Sequence, residues 1–230
     1  MVDGGVLLRR VLFVVLGWSI ACGLSTAPRS ELRPASKLEH NCYDPPYKAS
    51  NHASVKVNGK RDQPATDFTL KDLDGKSTTL SDLLDDKPVL LVGGSYTCPR
   101  FQETQSATQS LANRFSDDIH TVAVYTVEAH PKSDPTPYHG KPKPKRFSDR
   151  NQQETYSARA KSAKDWNLGK NVTVLVDELD RDFANPFWCT YGTCPSCSWL
   201  IRQDGTFEAV HEWHDPKTMR DSIDALLKSR

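Results

Sequence analysis

Between Pro64 and Leu227 short apolar runs alternate with polar segments, and their lengths and periods predict an α/β order of elements. Residues 88–92, Pro-Val-Leu-Leu-Val, form a continuous apolar run closed by Gly93-Gly94, the pattern of a strand buried on both faces. Residues 121–127 are rich in β-branched positions and predict a second buried strand, and Val172–Val176 a third. Ahead of them, 67–70 predicts a short strand, 73–76 a turn and 79–83 a helical turn. From Cys98 to Phe115 the only proline is Pro99, and Phe101, Leu111 and Phe115 recur at helical spacing, so a helix is expected whose first turn holds Cys98 and Pro99. A second helix is expected from about Gln152 to Trp166. A hairpin follows, with arms 197–202 and 206–213 around Gln203-Asp204-Gly205. Asp215-Pro216 reads as the N-cap and first residue of a closing amphipathic helix to Leu227.

Outside this region the pattern weakens. Residues 23–60 are polar and proline-containing, which predicts a linker or loosely docked arm before a domain spanning 61–230. Residues 131–147 hold five prolines among lysines and arginines and predict a long loop, either a solvated insertion or a lid beside a site. Residues 1–22 read as a signal peptide: Arg9-Arg10, an apolar run to Ala21, then small residues. That run is shorter than the roughly 20 residues a membrane-spanning helix needs. Ser19-Ile20-Ala21-Cys22 also resembles a lipoprotein processing site, which would make Cys22 a membrane tether. The expected location is therefore extracytoplasmic: secreted, periplasmic or tethered.

The formal net charge of +1 over 230 residues offers no field for nucleic acid, and none is expected as a partner. Export changes the meaning of the six cysteines, Cys22, Cys42, Cys98, Cys189, Cys194 and Cys197, because thiols outside the cytosol form disulfides. With Cys22 removed or lipidated, five remain, so at least one is unpaired or reactive. Cys98 is the candidate. A cysteine in the first turn of a helix meets unpaired N–H groups and the positive end of the dipole, which favour the thiolate and lower the thiol pKa. Pro99 starts that helix without needing an N–H partner, and Ser95 and Thr97 offer hydroxyls to sulfur or substrate. A buried, inert Cys98 is the alternative reading.

The element order resembles that of thioredoxin-like folds, a central mixed sheet flanked by helices. "PVLLVGGSYTCPRF", residues 88–101, is similar to the active-site segment of the iodothyronine deiodinase family, a thioredoxin-fold group in which selenocysteine stands at the place of Cys98. "VYTVEAH", 124–130, and "VLVDELD", 174–180, continue the resemblance, which covers roughly residues 64–228. It implies Cys98 as nucleophile, with Glu128 and His130 lining the site as proton handlers or substrate contacts. The chain departs from that family at three points. Cysteine replaces selenocysteine, Tyr96 stands where many relatives carry a cysteine, and Asn151-Gln152 follows Arg150 where a second histidine is expected.

"CTYGTCPSC", residues 189–197, has no counterpart in that family. Its Cys194-Pro195-Ser196-Cys197 has the spacing of a small-loop disulfide or half a zinc site. In thioredoxin-like folds a proline loop faces the start of the active-site helix, and Pro195 stands about where that loop belongs. Cys194 and Cys197 are thus candidates to resolve an oxidised Cys98. Counting from the turn at Asp204 puts Cys197 opposite His211 and Cys194 opposite His214. Positions three apart on a strand point to opposite faces, however, so no metal and no other cofactor is expected. Cys42 and Cys189 are a candidate bridge. Asp177 and Asp180 read as solvated carboxylates at a strand end. Two functions follow as expectations. One is a thiol-dependent oxidoreductase acting on a disulfide, peroxide or halogenated aromatic with an external thiol reductant; the other is a non-catalytic secreted binding module.

Overall fold

The computed structural model describes residues 1, 32–34, 55–133, 137–138, 147, 149–179 and 185–229. The proposed signal segment, Cys22, Cys42, Asp180 and most of the 131–147 loop lie outside them. Among the described residues no helix is long and apolar enough to cross a membrane.

Seven strands form one mixed sheet in the order β2-β1-β5-β4-β3-β6-β7. The strands are β1 (Thr69–Asp72), β2 (Ser77–Thr79), β3 (Val89–Gly94), β4 (His120–Tyr125), β5 (Val172–Val176), β6 (Ser198–Ile201) and β7 (Phe207–His211). β3, β4 and β5 run parallel, while β1 joins β5 and β6 joins β3 antiparallel. Five helices complete the order: α1 (Leu80–Leu84), α2 (Pro99–Arg114), α3 (Tyr156–Ala163), α4 (Pro186–Tyr191) and α5 (Pro216–Lys228).

Strand alternation divides the core between the two faces of the sheet. Leu90, Val92 and Leu200 pack with Phe101, Leu111 and Ala112 of α2 and with Met219 and Ile223 of α5. Val89, Leu91, Trp199 and Ile201 pack on the opposite face with Leu80, Leu84, Phe187 and Tyr191. This is the consequence of a two-residue side-chain period in strands covered on both sides.

Several expected boundaries move. Residues 69–79 form a β-hairpin, with Thr69 opposite Thr79, before a short α1. The helix expected from Gln152 begins only at Tyr156, capped by the Thr155 side chain at the Ala158 N–H, 3.2 Å away. Gln152 and Gln153 instead spend their amides on Glu128. In the β6–β7 hairpin a register shift between Leu200 and Ile201 sets Ser198, not Cys197, opposite His211. One extra residue on one arm is the hallmark of a β-bulge and changes which residues oppose each other. The described residues of the arm, 32–34 and 55–60, touch the domain at several points. Asn58 N–H donates to Tyr191 C=O at 2.8 Å, the Trp199 indole donates to Asn58 C=O at 2.9 Å, and Arg33 bridges in parallel to Thr66.

Candidate functional site

Cys98 stands at the N-cap of α2, with extended backbone (φ −87°, ψ 108°) and Pro99 opening the helix. The helix starts there because β3 ends at Gly94, and Gly94 is bare for a reason. A Cβ at that position would lie 2.2 Å from the Phe101 ring, which closes the first turn of α2 against the strand end. Cys98 is thereby held at the carboxyl edge of the parallel strands, where open α/β sheets place their ligand crevice.

Cys98 is the free cysteine among the described residues, and it is buried, with 2% of its surface exposed. Burial pushes its thiol up to about 12, while the Arg100 and Phe101 N–H groups pull the other way and the Glu128 charge adds to the rise. The lowered pKa expected from helix position alone is therefore not what the resting site has. The N-terminal N–H groups are present, but removing the sulfur from water costs the anion more than they return.

The loop after β4 wraps this segment. Thr97 donates to Glu128 Oε2 through its N–H (2.9 Å) and its hydroxyl (2.7 Å), and its oxygen accepts the His130 N–H at 2.9 Å. Ala129 N–H reaches Ser95 Oγ at 3.2 Å, and Cys98 N–H reaches Ser95 C=O at 3.3 Å. Glu128 has no exposed surface. Its second oxygen takes the Tyr125 hydroxyl and the Gln153 amide, the latter at 3.0 Å. Both carboxylate oxygens thus have two donors each. Gln152 clamps the Glu128 backbone from both sides, accepting its N–H at 2.9 Å and donating to its C=O at 2.7 Å. The residue expected as a second histidine is thus an amide, and an amide can both accept and donate at one peptide unit. His130 is half-buried, with its Nδ1 turned away from solvent.

The second cysteine cluster lies elsewhere. Cys194 and Cys197 are bonded to each other and are buried in the core on the sheet face opposite Cys98. Alternation explains the separation. Gly93 N–H donates to Cys197 C=O at 3.0 Å, and Cys197 points to the same side as Trp199 once removed, away from α2. In this state neither sulfur is a thiol, and Pro195 is buried between them. Cys189 is also disulfide-bonded, to a partner outside the described residues. No group of three or more histidine, cysteine or carboxylate side chains is arranged to hold a metal among the described residues.

Sequence reasoning assigned no role to Tyr125, Gln152 or Gln153; the two glutamines reach Glu128 from 24 and 25 positions away, and Tyr125 from three. It also missed two buried polar centres. His214 is fully buried, with Nε2 at 2.9 Å from Thr108 Oγ on α2. The Thr108 proton goes to Thr104 C=O at 2.9 Å, so His214 donates from Nε2. Asp177, expected to be solvated, has no exposed surface and accepts the Phe187 and Trp188 N–H groups at the start of α4 (2.8 and 2.9 Å). Buried Arg159 donates to Asp177 C=O at 2.9 Å and to Asn185 Oδ1 at 2.8 Å. A cavity of about 240 Å³ opens between β1 and α4, lined by Phe68, Leu70, Phe187 and Tyr191. These aromatics belong to the core face opposite Cys98.

The architecture is thioredoxin-like: a mixed seven-stranded sheet flanked by helices. It is similar to a putative thiol:disulfide interchange protein DsbE from Chlorobium tepidum (16% identity, TM-score 0.52, covering 74% of this chain and 99% of that one). It is likewise similar to a putative protein disulfide isomerase from Bacteroides thetaiotaomicron (17%, 0.52, 76% and 95%) and to a hypothetical protein from Sinorhizobium meliloti (18%, 0.51, 77% and 87%). At these identities the likeness is one of fold. No protein-family profile matches the chain, and no curated protein matches it.

Proposed function

We propose that this protein is an extracytoplasmic thiol-dependent oxidoreductase with Cys98 as its nucleophile. The observation that carries the reading is the one free cysteine among the described residues, set at the N-cap of α2 with the Arg100 and Phe101 N–H groups favouring its thiolate. The Cys194–Cys197 bridge and the disulfide at Cys189 suit an oxidising compartment. Among small-molecule substrates we take a disulfide first, because two of the similar structures carry thiol:disulfide interchange and disulfide isomerase in their names. The Cys98 thiol gives up its proton, and the thiolate attacks one sulfur of R–S–S–R, forming Cys98–S–S–R and releasing RS⁻, which takes a proton. An external thiol R′SH then attacks the R sulfur, returning Cys98 as thiol and leaving R–S–S–R′. A peroxide would instead leave Cys98 as sulfenic acid and release an alcohol; two external thiols then return the thiol, releasing water and R′–S–S–R′. A halogenated aromatic is the substrate that the deiodinase resemblance adds.

In this reading Glu128 braces the Cys98 loop through Thr97, and His130, whose backbone N–H is held by the same Thr97 hydroxyl, is the proposed proton carrier. Resolution by Cys194 or Cys197 would first need their bridge to open. A Cys98–Cys194 or Cys98–Cys197 link, trapped after peroxide treatment and mapped by mass spectrometry, is the result that would assign them that role. The direct test is turnover of a small dialkyl disulfide with an external thiol by the purified protein. Turnover lost in Cys98→Ser supports the reading, and turnover unchanged in that variant sinks it.

One observation favours a second reading, the non-catalytic binding module. Cys98 is buried, and that burial pushes its thiol up and holds it protonated. Absence of turnover, with Cys98 inert to alkylation until the chain unfolds, would select it.

A further inference from the structure

Cys98 is buried where it rests, so a reactant reaches its sulfur only when part of the structure moves, and the contacts of the described residues point to one such part. α2 is pinned by Phe101 on Gly94 and by Leu111 and Ala112 in the core. The 126–130 loop is tied to Thr97 through Glu128. A third piece, residues 149–153 (Asp-Arg-Asn-Gln-Gln), holds no apolar side chain and touches both runs, with Arg150 on Tyr96 and Gln152 and Gln153 on Glu128.

Among the described residues, hydrogen bonds, an ion pair and one cation–π stack fasten this strap. The Arg150 guanidinium lies over the Tyr96 ring, 3.4 Å from its centroid, and is steadied from outside by the Asp165 carboxylate and by Ser162 C=O at 3.2 Å. Arg150 C=O accepts Lys132 N–H at 2.6 Å, and Asn151 Oδ1 accepts Ser133 N–H at 2.8 Å. Gln152 and Gln153 then hold Glu128, as described above. Each such bond is exchanged for one to water on opening, so each adds little net stability. Segments held this way open locally while the core stays folded.

We infer that the strap Asp149–Gln153 is a latch over Cys98, with the Arg150–Tyr96 stack as its catch, and that lifting it admits a reactant to the sulfur. The inference rests on the Cys98 reading above but is tested apart from it. Tyr96 is two residues from Cys98 and its C=O accepts the Gln102 amide at 2.8 Å, so releasing the ring loosens the segment that leads into α2. Lifting the strap also undoes the Gln153 bond to Glu128. Solvent reaching the sulfur removes the burial that keeps it protonated, so one motion supplies both access and reactivity.

The experiment is the rate of Cys98 alkylation by iodoacetamide at pH 7.5 in the folded full chain, resolved by peptide mapping. Arg150→Ala is expected to speed labelling at least tenfold, and Asp165→Asn several-fold. Arg114→Ala, which removes a comparable stacked arginine at the far end of α2, is expected to leave the rate unchanged. Equal rates in wild type and Asp165→Asn, or acceleration in Arg114→Ala equal to that in Arg150→Ala, would overturn the latch. Because Asp165 is exposed, that variant keeps the test open if Arg150→Ala does not fold. Faster labelling without disulfide turnover in any variant would remove the oxidoreductase reading and leave the latch standing.

Discussion

Thr97 and Glu128 are joined twice, by the Thr97 N–H at 2.9 Å and its hydroxyl at 2.7 Å, so the residue before the free cysteine is fixed to the loop after β4. The same hydroxyl oxygen takes the His130 N–H. Thr97→Val keeps the shape, removes one donor from the buried carboxylate and leaves the His130 N–H without its acceptor. Unfolding in urea is expected to show a loss of about 2 kcal/mol, most of it recovered in Thr97→Ser. A loss no larger than an exposed threonine gives would refute the bracing role.

Gly94 is required by the Phe101 ring rather than by backbone conformation. Gly94→Ala puts a methyl 2.2 Å from that ring, which sits in the core and cannot retreat without moving the start of α2. A loss of roughly 1–3 kcal/mol is expected, together with a changed Cys98 labelling rate. Gly93→Ala, whose added Cβ would meet nothing closer than 3.6 Å, is the comparison and is expected to cost less.

Two buried groups give the protein opposing responses to acid. Burial, reinforced by His211, pushes His214 down to about 4, so the stability it contributes is complete above the ordinary 6.5 and is lost as pH falls from about 6.5 to 4. Burial pushes Asp177 up to about 6, against Arg159 and the backbone donors. Its contribution is complete below the ordinary 3.8 and is lost as pH rises from there to about 6. Each is worth on the order of 3 kcal/mol, so between pH 4 and 6 they offset each other. Urea unfolding of Asp177→Asn at pH 6.5 and pH 4 is expected to show about that much more acid loss than wild type. Parallel pH profiles would exclude the compensation.

The Cys194–Cys197 bridge closes a very short loop, and a chain-entropy account gives it about 2 kcal/mol. The double variant Cys194→Ser, Cys197→Ser is expected to lose that much stability while keeping Cys98 labelling at the wild-type rate, since the bridge lies on the other face of the sheet. Labelling altered tenfold would instead tie the bridge to the site.

β3 was legible because burial on both faces leaves no polar position in it, all six residues being buried, and β4 and β5 because β-branched residues dominate them. The Cys98 turn was legible because proline and glycine punctuate it. α2 showed only a weak apolar stripe for a reason visible in the fold: Gln105 and Thr108 occupy buried positions within that stripe. Gln105 Oε1 accepts Asn167 N–H at 3.2 Å and Thr108 meets His214, contacts no helical period reveals. Asp177 was misread for the same reason, since its partners come from α3 and α4.

From the sequence alone followed the three central strands, the helix start at Cys98 and the glycines that close the strand before it, because these depend on local period, proline and glycine. Tertiary structure alone decided that the thiol is buried, that Glu128 is saturated by Thr97, Tyr125 and Gln153, and that the 194–197 bridge faces away from Cys98. Solvation and the sheet face a side chain occupies are properties of what packs around a residue, and Thr97 and Gln153 meet Glu128 from 31 and 25 positions away.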